Sequence, residues 1–123
     1  MGGFIKVEVE KRPTRALNMQ INKDIFYDFK VRCKQKRLPL NVVLEAFMNQ
    51  YANGKYPLSE EKVLKWKDIT EDTETLNSSF DAEIYNKFRD VVKNNNLYIR
   101  HVITAFVEDY AYNDLTMEFV KNE

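Results

Sequence analysis

Polar and apolar residues alternate, with few exceptions, in two short stretches of this chain. Leu17, Met19 and Ile21 alternate with Ala16, Asn18 and Gln20, while Leu76, Ser78 and Phe80 alternate with Thr75, Asn77 and Ser79. A period of two over about six residues predicts a strand with one face packed and the other open. The period then changes. Asn22 and Asp81 stand where a helix N-cap belongs, with Asp24 and Glu83 in the first turn, where negative charge suits the helix dipole. Ile25, Phe29 and Cys33, and likewise Ile84, Phe88 and Val92, predict one apolar stripe along the helix that follows. Its end is expected near Lys36 and Arg37 in the first stretch and near Asn94 to Asn96 in the second, a run that prefers turns. A second helix is predicted over 39–52 and again over 98–112, with Pro39 in its first turn and Gly54 as a stop signal. Val42, Val43, Leu44, Ala46, Phe47, Met48 and Tyr51 wrap most of its circumference, so burial on several sides is expected.

The two stretches are copies. A shift of 59 residues overlays Thr14–Ala52 on Thr73–Ala111 without a gap, with twelve identities in thirty-nine positions, most of them apolar and periodic. Each copy reads as strand, helix, helix. One short strand cannot satisfy its own backbone groups, and the other copy supplies the obvious partner. The expected fold is therefore mainly α with a short two-stranded antiparallel ribbon. Residues 1–123 form one domain on this reading: a first copy over 14–54, a linker over 55–72, a second copy over 73–113 and a tail over 114–123. In the linker, Ser59 followed by Glu60 and Glu61 predicts a capped short helix through Trp66, with Leu64 and Trp66 covering the core. Ile5, Val7 and Val9 alternate in the N-terminal arm and suggest a further strand. Leu115, Phe119 and Val120 make the tail amphipathic, suited to packing at home or against another molecule.

Composition narrows the function classes. At 123 residues the chain has enough apolar content to bury a real core if the two copies share it. No apolar run approaches the roughly 18 residues of a membrane span, and the N-terminus lacks a secretory profile. Met1-Gly2-Gly3 suggests a myristoylation start, but Lys6 stands where Ser or Thr is wanted. A cytoplasmic protein is expected. Cys33 is the sole cysteine and His101 the sole histidine, so neither an internal disulfide nor a metal-ligand cluster is expected, and Cys33 reads as buried and inert. Net charge is zero, yet residues 1–56 carry eleven Lys/Arg against five Asp/Glu, and residues 57–123 carry eight against fourteen. The first half thus suits a polyanion, or else the two charged halves help each other dock. With three glycines there is no phosphate-cradling Gly-rich loop, and no nucleophile–base pair stands at recognisable spacing, so no enzyme, cofactor or small-molecule substrate is expected.

Leu17-Asn18-Met19-Gln20-Ile21-Asn22 with Ile25 and Phe29, then Val43 and Ala46-Phe47, and the matching residues 59 positions on, resemble the ribbon-helix-helix family of DNA-binding proteins. This is the superfamily of the Arc and MetJ repressors, and a tandem pair in one chain is similar to conjugation accessory proteins of the TraY type. The resemblance implies double-stranded DNA as partner, nucleoid association, and a role as repressor or as accessory factor of a DNA-processing complex.

The residues give a physical counterpart. The major groove of B-DNA admits a two-stranded ribbon, whose outward side chains then face base edges. Those positions are Ala16, Asn18, Gln20, Thr75, Asn77 and Ser79. Asn and Gln can bond adenine through a bidentate fork, so adenines are expected at related positions of two half-sites under Asn18 and Asn77, with different bases under Gln20 and Ser79. None of the outward positions is basic, and Ser78 breaks the apolar inward row. Phosphate contacts are expected at the N-terminus of each second helix, at Leu38, Leu40 and Asn41 and at Leu97, Tyr98 and Arg100, with Lys36 and Arg37 close by. Arg15 joins this set, while Lys11 and Arg12 form a basic arm. His101 reads as a surface or capping residue. The alternative class is a protein-interaction module, with an acidic second half and an apolar tail that bind a partner.

Overall fold

The computed structural model describes residues 12–113; the expected N-terminal strand, Lys11 and the tail beyond Asn113 lie outside the described residues. The element order is β1 (Thr14–Asn22), α1 (Lys23–Gln35), α2 (Leu40–Ala52), α3 (Glu60–Leu64), a 3-10 turn (Lys65–Asp68), β2 (Thr73–Asp81), α4 (Ala82–Asn94) and α5 (Ile99–Tyr112). Among the described residues the molecule is mainly helical, with one two-stranded antiparallel sheet.

Each strand passes straight into a helix because a side chain closes the first turn. Asn22 Oδ1 accepts from the backbone N–H groups of Asp24 and Ile25, both at 3.1 Å, and Asp81 Oδ1 accepts from Glu83 at 3.0 Å and Ile84 at 3.1 Å. These bonds satisfy donors that a helix start leaves open. Both first helices end through a residue in the left-handed region, Arg37 (φ 56°) and Asn96 (φ 58°), one residue past the C-cap. The strain is milder for Asn than for Arg. Pro39 occupies the N-cap of α2 rather than its first turn, and Gly54 (φ 68°) ends that helix in a left-handed turn, donating to Tyr51 O at 3.1 Å.

The strands pair in a register that sets Asn18 opposite Asn77, Ala16 opposite Ser79 and Gln20 opposite Thr75. Two backbone bonds extend the pairing beyond the strand ends. Lys23 N donates to Asp72 O at 2.7 Å and Ala82 N donates to Pro13 O at 2.9 Å. Below the ribbon, α1 packs on α5 and α2 on α4, so that contacts run mainly between the two halves of the chain. At the centre Phe47 and Phe106 stack at 4.0 Å between centroids, and Phe29, Phe88, Tyr56 and Tyr110 pack around that pair. The buried residues of both halves form one cluster.

The linker helix is capped by Ser59, whose Oγ accepts from Lys62 N at 3.2 Å. Trp66 is buried as expected, but Leu64 is exposed and Val63 takes its place in the core. Val63 stands three residues before Trp66 and so shares its buried face, which Leu64 does not, and the segment is tied to α5 by Lys62 to Asp109 at 3.0 Å and Lys65 to Glu108 at 2.7 Å. α2 is less enclosed than expected, since Val42 is exposed, whereas α5 is buried almost all round from His101 to Val107.

Candidate nucleic-acid interface

The two faces of the ribbon differ in kind. Leu17, Met19, Ile21, Leu76 and Phe80 are buried against the helices, with Ser78 half-buried among them. On the opposite face Ala16, Asn18, Gln20, Thr75, Asn77 and Ser79 are all exposed. That face is a row of small and amide side chains with no charge, flanked by helices rather than covered by them.

The row is ordered at one end. Gln20 Nε2 donates to Thr75 Oγ1 at 2.8 Å, and Thr73 Oγ1 donates to Gln20 Oε1 at 3.1 Å. The two threonines fix which way the carboxamide points. One N–H and one lone pair of the amide remain, since Gln can donate twice and accept twice. At the other end Ala16 faces Ser79, and a methyl offers neither donor nor acceptor.

A groove of about 1030 Å³ runs beside β1, with Asn18, Gln20 and Thr75 on its ribbon side and Arg89, Lys93, Tyr98, Arg100 and His101 on its helix side. It contains the N-terminus of α5, where Tyr98 is exposed and the first N–H groups have no partner within the helix. A smaller cavity of about 100 Å³ adjoins the same end, between Gln20, Thr73, Arg100, His101 and Trp66.

The expected phosphate residues are not all placed alike. Leu38, Leu40 and Leu97 are half-buried and pack against the core, and the backbone N–H groups of Leu38 and Leu97 already donate to Cys33 O at 3.0 Å and Val92 O at 3.1 Å, which removes both as phosphate donors. Asn41 and Arg100 are exposed at the starts of α2 and α5. Lys36 holds its ammonium 5.3 Å above the ring of Tyr110, and Arg37 is exposed. Arg15 shares the strand alternation of Leu17 rather than that of Ala16, and its guanidinium lies 5.5 Å over the ring of Tyr85 on α4. Arg12 is exposed, 3.9 Å from Asp81.

His101 corrects the expectation of a surface residue. It is 7 % exposed, in edge contact with Tyr98, and burial lowers its pKa, with Arg100 and Lys67 acting in the same direction and Asp68 opposing. Cys33 is buried, and burial pushes its thiol up to about 11 against the partial opposition of Lys36. Sequence reasoning missed Thr73, Arg89 and Lys93. Thr73 lies on the outward alternation of β2, and Arg89 and Lys93 are four apart on α4, a spacing that places both on one helix face.

Among the described residues no group of three or more His, Cys, Asp or Glu side chains could hold a metal, and no helix is long and apolar enough to cross a membrane. No protein-family model, curated protein or solved structure matches the chain.

Proposed function

We propose that this chain is a sequence-specific double-stranded DNA-binding protein of the ribbon-helix-helix kind, with both copies in one chain forming a pseudo-dimer about an axis between Asn18 and Asn77. The ribbon enters the major groove, and its outward amides and hydroxyls meet base edges. The observation that carries this reading is the pairing of Asn18 with Asn77 at the centre of an exposed polar row whose reverse side is packed into the core. A ribbon of this width fits the groove, and each amide matches the adenine fork. The helix starts at Asn41 and Arg100 flank the ribbon, where backbone N–H groups and the dipole favour a phosphate. The role that suits such a molecule is repression of a promoter or marking of a site for a DNA-processing complex.

Salt dependence tests the reading. With roughly five phosphate contacts, the logarithm of the binding constant falls with the logarithm of salt concentration at a slope of about −4 to −5. Fluorescence anisotropy on labelled duplexes between 50 and ~300 mM salt measures it. A salt-independent association, or none with duplex at any salt, sinks the proposal and favours a protein partner for the acidic half.

A further inference from the structure

The charge of the two halves suggests that the basic first copy holds DNA more firmly. The geometry points the other way: we propose that recognition is polarised, and that the ribbon end carrying Gln20, beside the N-terminus of α5, reads one dominant half-site while the end carrying Ala16 and Ser79 reads little. This rests on the DNA-binding reading above and states which class of duplex it takes: a site with one strong half and one weak half, bound in a single orientation.

Two independent features coincide at that end. The first is the readout side chain. Gln20 is held by Thr75 at 2.8 Å and by Thr73 at 3.1 Å, and these bonds leave free one amide N–H and one carbonyl lone pair. That is the donor and acceptor pair required by N7 and N6 of adenine. The entropy of ordering a long, exposed side chain is thereby already spent in the free protein. Its counterpart 59 positions on is Ser79, opposite Ala16, which cannot form such a fork.

The second feature is the cationic wall. Arg89, Lys93 and Arg100 line the groove that opens onto Gln20 and Thr75. The residues at the same positions of the first copy are Lys30, Lys34 and Asn41. Lys30 lies 3.4 Å from the carboxylate of Glu74 and 4.5 Å over the ring of Phe26, which holds it back from a phosphate. Arg89 has a carboxylate neighbour too, Asp90 at 3.4 Å, but Asp90 is itself widely exposed and Arg100 has no equivalent cation in the first copy. At these three positions two arginines, each able to bond a phosphate bidentately, stand against lysines and an asparagine, whereas Lys36 and Arg37 of the first copy correspond to Asn95 and Asn96. Part of the surplus of acid in the second half lies on α3 and α5, where Glu108 and Asp109 pair with Lys65 and Lys62, while Glu74 at the Gln20 end of the ribbon is paired with Lys30.

The test is a base-by-base substitution series on the duplex that binds best, with Kd read at each position for the native protein and for Gln20→Ala, Thr73→Val and Thr73→Ser. Substitutions at one or two positions of one half-site are expected to weaken native binding about 5- to 150-fold, the range of one lost bidentate pair. Their mirror positions should shift it less than threefold. Gln20→Ala should erase the large penalty, Thr73→Val should reduce it with little change in binding to nonspecific duplex, and Thr73→Ser should restore it. Equal sensitivity of the two half-sites, or a profile that Gln20→Ala leaves intact, overturns polarised recognition while DNA binding itself stands. Absence of any preferred duplex overturns both.

Discussion

Phe106 is the residue whose removal asks most directly whether the two halves stand or fall together. Its side chain is fully buried and stacks on Phe47 from the other half at 4.0 Å and 13° between planes, with Phe29, Tyr56 and Tyr110 around it. Phe106→Ala removes that ring from a site walled by four other aromatic rings, which cannot collapse without breaking their mutual contacts. The expected cost is in the upper part of about 3–5 kcal/mol for a buried Phe→Ala change. A folded unit of about 100 residues holds about 5–15 kcal/mol in total, so a third or more of the stability should go. With a urea dependence of about 1–3 kcal/mol per molar, the midpoint should drop by about 2 M. Urea melts followed by far-UV circular dichroism and by the fluorescence of buried Trp66 measure it, and the two probes should coincide in native protein and variant alike. Phe47→Ala, in the other half, should give a loss of similar size. A loss below about 1 kcal/mol, or a biphasic melt in which one phase keeps the native midpoint, would refute a core shared by both halves.

Tyr51 and Tyr110 occupy matching positions, yet hydroxyl removal should act on them with opposite sign. Tyr51 Oη accepts from Asn95 Nδ2 at 3.2 Å, so Tyr51→Phe should cost about 0.5–1.5 kcal/mol, whereas Tyr110 Oη is buried without a partner among the described residues and Tyr110→Phe should be neutral or stabilising; urea midpoints decide. His101 is held below its usual pKa mainly by burial, so the unfolded chain binds the extra proton first as pH falls. Stability should therefore be full above about pH 6.5 and decline below it, down to the folded-state value, and His101→Gln should flatten that slope in melts between pH 5 and ~7.5. Cys33, with its thiol pushed up to about 11, should resist alkylation by iodoacetamide at pH 8 in the native protein and react at the rate of unfolding. Rapid labelling of folded protein would show that the α1 stripe opens locally.

Much of the architecture was legible because its signals are local. Strand alternation, the caps at Asn22 and Asp81, the turn run at Asn94 to Asn96 and the stop at Gly54 each rest on residues within one or two turns of one another. The duplication added what local patterns lack, an antiparallel strand partner, but it leaves the register open, and the setting of Asn18 opposite Asn77 is known only from the structure. Failures came where a position is decided by elements distant in sequence. Leu64 and Val63 are equally apolar, but Val63 shares the face of Trp66 at a spacing of three, and that face is the one that meets α5. His101 looks like a solvated helix start until the linker brings Lys67 and Asp68 against it. The outward row could be read from alternation alone, but the bonds that orient Gln20 join residues more than fifty positions apart. Net charge by halves does not show that Glu108 and Asp109 are held in ion pairs with Lys65 and Lys62, nor that Glu74 and Asp81 of the ribbon lie beside Lys30 and Arg12.

The most direct test of base readout by the ribbon is selection of bound duplexes from a random pool at about 150 mM salt, run in parallel with native protein and with the Asn18→Ala/Asn77→Ala double variant. Both changes lie on exposed positions, so the variant should fold as the native chain does. Native protein should enrich a motif with adenines at related positions in two unequal halves, and the double variant should lose that motif while keeping weak, salt-sensitive binding. No enrichment by folded native protein, or the same motif from the double variant, would contradict readout by these two side chains.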